Sequence, residues 1–93
     1  MDRVETIRQL ISDALSPTQL DIIDESHLHK GHPGAASGAG HFNVAVVSQK
    51  FESQATLARH RMVYAAVDAL MPTEIHALSI KALTPEEYLS AKA

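Results

Sequence analysis

Apolar positions along this chain change their period several times, and each change marks an element. Val4, Ile7, Leu10, Ile11 and Ala14 recur three and four residues apart, the spacing that stacks side chains along one face of a helix. Arg3, Glu5, Arg8 and Asp13 fall on the other face. The pattern predicts a first helix over residues 3–14, stopped at Ser16-Pro17 because a residue before proline is pushed out of the helical region. Leu20–Ser26 reads as a short strand with acidic positions Asp21, Asp24 and Glu25. From residue 27 to 40 the chain is mainly His, Gly, Ala, Ser and Pro, which bury too little apolar surface to offset the entropy of ordering, so a mobile loop is expected. His41–Ser48 then alternates, with Phe42, Val44 and Val46 on one face and His41, Asn43, Ala45 and Val47 on the other. That is a second strand, antiparallel to the first. A turn over residues 50–54 leads to a second helix at 55–71, with Leu57, Val63, Val67 and Leu70 as the stripe that covers the sheet, Ala66 and Met71 between them, and Pro72 as the stop. Ile75–Ile80 is a third strand, and Thr84-Pro85-Glu86-Glu87 supplies an N-cap, a proline at the first helical position and a capping-box glutamate for a last short helix.

The expected architecture is α+β: a single domain over residues 1–93, in the order α-β-β-α-β-α, with a three-stranded mixed sheet covered by helices. A strand that passes through a helix to the next strand normally makes a parallel, right-handed crossover, so the third strand should run parallel to the second. If the two are neighbours, they begin at the same end of the sheet. His76 then stands near the place where the glycine-rich segment delivers the chain.

Composition bounds the function. The chain has 93 residues, 45% hydrophobic, which suits one modest core. There is no cysteine, hence no disulfide framework, and no apolar run that reads as a signal peptide or membrane span, so a cytoplasmic protein without membrane association is expected. A formal net charge of -3 gives no global basic field for nucleic acid. Few aromatics and no tryptophan argue against a base-stacking surface.

Six histidines are the remaining chemical feature: His27, His29, His32 and His41 flank the glycine-rich stretch, with His60 and His76 further on. Imidazole is both a metal ligand and a group that titrates near neutrality. Each also has a structural explanation. His27 and His32 suit a solvated loop, His41 a hydrogen bond at a strand entrance, and His60, within Arg59-His60-Arg61, packing on the second helix; His76 admits either reading. The spacings His27-x-His29 and His29-x-x-His32 make no zinc signature by themselves. Gly31, Gly34, Gly38 and Gly40 lack the lysine and hydroxyl residue of a phosphate loop, and no nucleophile elbow surrounds Ser26. Nothing requires enzymatic turnover.

Several motifs in fixed order resemble the BolA family across nearly the whole chain: Asp24-Glu25-Ser26, the His/Gly loop, Gly40-His41-Phe42, Val46-Val47-Ser48 with Phe51-Glu52, Arg59-His60-Arg61-Met62-Val63-Tyr64 and Ile75-His76-Ala77-Leu78-Ser79. The resemblance implies a class II KH-like fold and a heterodimer with a monothiol glutaredoxin that holds a [2Fe-2S] cluster, in cluster trafficking or iron-dependent regulation. Its implied ligands are His76, which matches the family's C-terminal histidine, and His29 in the first loop, with His27 and His32 as alternatives. Two nitrogens on one iron are known from Rieske-type centres, and a chain without thiolate needs its sulfur ligands from elsewhere, here the glutaredoxin cysteine and glutathione. No cluster is expected on the isolated chain, read as a monomer or weak dimer. The family also includes DNA-associated members, which makes a transcriptional regulator the second expectation, with Lys50, Arg59 and Arg61 as phosphate contacts.

Overall fold

The computed structural model describes residues 2–26 and 39–92. The expected loop at 27–40, with His27, His29 and His32, therefore lies outside the described residues except for its last two positions.

The first helix, α1 (Arg3–Leu15), opens with the Asp2 side chain accepting the Glu5 N–H and closes with Ser16 in the left-handed region at φ 45°. Its inward positions are Ile7, Ile11 and Leu15. Strands β1 (Gln19–Asp24) and β2 (Gly40–Val47) follow, and a 3-10 turn at Gln49–Phe51 leads into α2 (Thr56–Ala66). A second 3-10 turn at Asp68–Leu70 precedes β3 (Ile75–Leu83) and α3 (Pro85–Lys92). The sheet order is β1-β2-β3, with β1 antiparallel and β3 parallel to β2.

The core lies on one face of this sheet. Phe42, Val44 and Val46 of β2 meet Ile7, Ile11 and Leu15 of α1 and Val63 and Val67 of α2, with Phe51, Leu70, Ile75 and Leu78 closing the ends. The α3 capping box forms as its sequence requires: the Glu87 N–H donates to Thr84 Oγ1 at 3.1 Å and the Thr84 N–H to Glu87 Oε1 at 2.9 Å.

Four expectations need correction. The first strand ends at Asp24 instead of Ser26. The second α-helix ends at Ala66 instead of residue 71, because the chain tightens: Val67 N–H bonds to both the Val63 and Tyr64 carbonyls, and a 3-10 turn carries Leu70 into the core. The third strand continues past Ile80 to Leu83, since Lys81, Ala82 and Leu83 keep pairing with Ala45, Val46 and Val47. Leu57 does not join the apolar stripe and is 62% exposed. At 100° per residue it shares a face with Arg61, Tyr64 and Asp68, all exposed, while Val63 and Val67 define the buried line.

Candidate metal centre

Because β2 and β3 run parallel, both begin at one end of the sheet, and β1 finishes at that same end. The segment that leaves after Ser26 and returns at Ala39 therefore departs from and rejoins the sheet where His76 stands. The crossover argument from sequence holds for this placement.

The pairing here is irregular. Gly40 pairs with Ile75 but His41 pairs with Ala77, so two steps of β3 oppose one of β2 and His76 is the extra residue of a bulge. Such bulges, rare in parallel pairs, re-aim a side chain and are enriched beside functional sites. His76 is exposed between buried Ile75 and half-buried Ala77. Among the described residues, none hydrogen-bonds to its imidazole or pairs with it. Both ring nitrogens face no competitor from the rest of the described fold.

The backbone around the bulge is held from both sides of β2. Gly40 N–H donates to the Glu74 carbonyl at 3.0 Å, while the Glu74 carboxylate receives Arg3 Nε at 3.0 Å, tying the approach to β3 onto α1. On the β1 side, the His41 N–H donates to Ser26 Oγ at 3.2 Å, the Glu25 N–H to the His41 carbonyl at 2.8 Å and the Ser26 N–H to Asp24 Oδ1 at 2.9 Å. Gly40 itself has no room for a side chain, because a Cβ there would lie 2.5 Å from Ser26 Oγ and 2.8 Å from the Phe42 ring.

His41 takes the structural role expected for it. Its Nε2 lies 3.4 Å from Ser79 Oγ and 3.7 Å from Glu25 Oε1, and the side chain is only 18% exposed. His60 is half-buried on α2. Among the described residues no group of three or more His, Asp or Glu side chains converges to hold a metal ion. Sequence reasoning missed the bulge and the parts played by Ser26, Glu74 and Ser79. The available signal was Gly40 opening a strand, since an isolated strand glycine marks a bulge or a close approach.

The three basic candidates differ. Arg59 is committed within the fold: Nε donates to the Gln54 carbonyl at 2.8 Å, Nη1 to the Ala82 carbonyl at 3.1 Å, and both terminal nitrogens grip Glu87 at 2.6 and 3.2 Å. The guanidinium also lies over the Phe51 ring, 6.0 Å from its centroid. This grip, together with the Thr84 N–H, lowers the Glu87 carboxyl to about 2 and raises Arg59 in turn. Lys50 Nζ donates to the Ala14 carbonyl at 3.1 Å, capping the C-terminus of a helix with no basic residue in its own last turn. Arg61 is exposed on α2 with no ion-pair partner among the described residues.

A family model described as BolA-like protein matches residues 11–87. The chain belongs to the BolA family. Within that family it is 43% identical over 82 residues to human BolA-like protein 1, a match that covers 88% of this chain and 58% of the human protein. It is 34% identical to the DNA-binding transcriptional regulator BolA of Escherichia coli, covering 90% of this chain and 77% of that protein. Among solved structures, the BolA domain of SufE1 from Arabidopsis thaliana superposes with a TM-score of 0.82 at 35% identity, covering 94% of this chain and 96% of that one. This BolA-like chain thus spans little more than half the length of the human relative, and 23% of the Arabidopsis SufE-like protein 1. No helix among the described residues is long and apolar enough to cross a membrane.

Proposed function

We propose that this BolA-like chain is an adaptor, without turnover of its own, that pairs with a monothiol glutaredoxin and completes the coordination of a shared [2Fe-2S] cluster. The observation that carries the reading is His76: a bulge expels it from the β2–β3 ladder, leaves it exposed and leaves its imidazole without a partner among the described residues. The donor chemistry fits. Imidazole nitrogens serve on one iron of a Rieske-type [2Fe-2S] centre, four ligands are needed in all, and this chain has no cysteine. His76 and a histidine of the 27–32 stretch, His29 by the family motif, would supply the nitrogens; the partner's cysteine and glutathione would supply the sulfurs. Imidazole ligation makes assembly pH-dependent, because each ligand must be deprotonated to bind.

The test is a titration of a cluster-loaded monothiol glutaredoxin with this chain, followed by visible circular dichroism. The native chain is expected to change the spectrum and His76→Ala to abolish the change. An unchanged response from His76→Ala would remove the reading.

A second reading, a DNA-binding regulator, is favoured by the name of the Escherichia coli relative and by Arg61, which is exposed and has no ion-pair partner among the described residues. Lys50 and Arg59 join it only by giving up the Ala14 and Glu87 contacts. Binding to duplex DNA at about 50 mM salt, weakening steeply as salt rises, is its signature; absence of binding there rules it out.

A further inference from the structure

We propose that Ser26 is a positioning residue for His76: its hydroxyl fills the side-chain space of Gly40 and holds the His41 N–H, and so fixes the bulge that keeps His76 out of the sheet. The inference rests on the cluster reading only for its functional readout.

The alternative that must be prevented is visible in the register. From His41–Ala77 onward the β2–β3 pairing is regular for seven consecutive pairs, ending at Val47–Leu83. One more step of the same register would pair Gly40 with His76, draw the imidazole against the ladder and displace Ile75 from its buried site. A one-residue slip of this kind exchanges the faces of a strand.

Two contacts oppose it at the same point. On one side of β2 the Gly40 N–H is held by the Glu74 carbonyl, the residue just before β3. On the other side the next amide, His41 N–H, is held by Ser26 Oγ. Ser26 is braced in turn by its N–H on Asp24 Oδ1, and its oxygen sits 2.5 Å from where a Cβ of residue 40 would be. Ser26 and Gly40 are therefore an interlocking pair, one residue supplying an oxygen and the other the space for it. The Asp24-Glu25-Ser26 and Gly40-His41-Phe42 motifs, far apart in sequence, act on one object: the position at which β3 begins to pair.

The experiment uses the full chain. In the native protein, cross-strand NOEs between Gly40 and Ile75 report the bulged register. Ser26→Ala is expected to weaken them, to bring Gly40–His76 NOEs, and to weaken the complex with a cluster-loaded monothiol glutaredoxin tenfold or more, the size usual when a residue supporting a ligand is lost. Gly40→Ala pushes on the same contact from the other side and should shift the register likewise. Native Gly40–Ile75 NOEs in Ser26→Ala would overturn the proposal, whether the complex is weakened or not. A shifted register in Ser26→Ala, with His76→Ala still forming the complex, would uphold the positioning of His76 while removing the cluster reading.

Discussion

Replacing Ser48 by alanine should destabilise the fold more than its size suggests. Ser48 is fully buried, a rare setting for a hydroxyl, and stands at the exit of β2. Its Oγ donates to the Leu15 carbonyl at 2.6 Å and accepts the Lys50 N–H at 3.1 Å. Leu15 ends α1, so its carbonyl is one of the last four that no helical N–H can reach. Alanine leaves that carbonyl buried and unmet, costing about 1–3 kcal/mol, whereas the Lys50 N–H, on an exposed residue, finds water and forfeits about 1 kcal/mol at most. The middle of these two ranges adds to about 2 to 3 kcal/mol. In a domain of this size each kcal/mol moves the midpoint by about 4–8 °C, so thermal unfolding should fall by roughly 10–20 °C. Urea unfolding followed by far-ultraviolet circular dichroism measures the loss directly, with an unchanged m value showing that the unfolded surface is the same. Ser90→Ala, at an exposed position of α3, is the control, expected within about 0.5 kcal/mol of the native chain. A Ser48→Ala loss as small as the control's would refute the argument that this hydroxyl caps α1.

Other outcomes follow from the same contacts. Glu87 has its pKa depressed to about 2 by Arg59 and Thr84; a depressed carboxyl contributes its stabilisation in full above the unfolded value near 4.5 and loses it as pH falls toward 2. Unfolding free energy should therefore fall as pH drops from about 4.5 toward 2, while amide shifts of the folded α3 that follow Glu87 should titrate with a midpoint near pH 2, and Glu87→Gln should remove both effects. Val63→Ala, at a fully buried position, should cost about 2 kcal/mol, whereas Leu57→Ala should cost less than about 0.5 kcal/mol; equal losses would contradict the face assignment of α2.

Much of this architecture is legible because its signals are local. Alternation over residues 41–46, the helix over residues 3–14 and the Thr84 capping box each rest on residues close in sequence, and the structure bears them out, with Leu15 instead of the exposed Ala14 continuing the buried line of α1. The parallel crossover needed one general rule about handedness, and it placed His76 at the correct end of the sheet. What escaped depends on partners distant in sequence. The extension of β3 to Leu83 is set by how far β2 runs, and the end of α2 by a tightening that brings Leu70 inward. Arg59 reads in sequence as a solvated basic residue because its acceptor, Glu87, is 28 positions away. The bulge at His76 depends on Ser26, Gly40 and Glu74 meeting at one point, which no periodicity encodes.

The most direct measurement of the central claim is pulsed EPR on the reduced complex of this chain with a cluster-loaded monothiol glutaredoxin, with the histidines of this chain alone carrying nitrogen-15. Couplings from two directly bound imidazole nitrogens are predicted, one of them lost in His76→Ala. A spectrum without strongly coupled nitrogen, or one that His76→Ala leaves unchanged, would contradict the account.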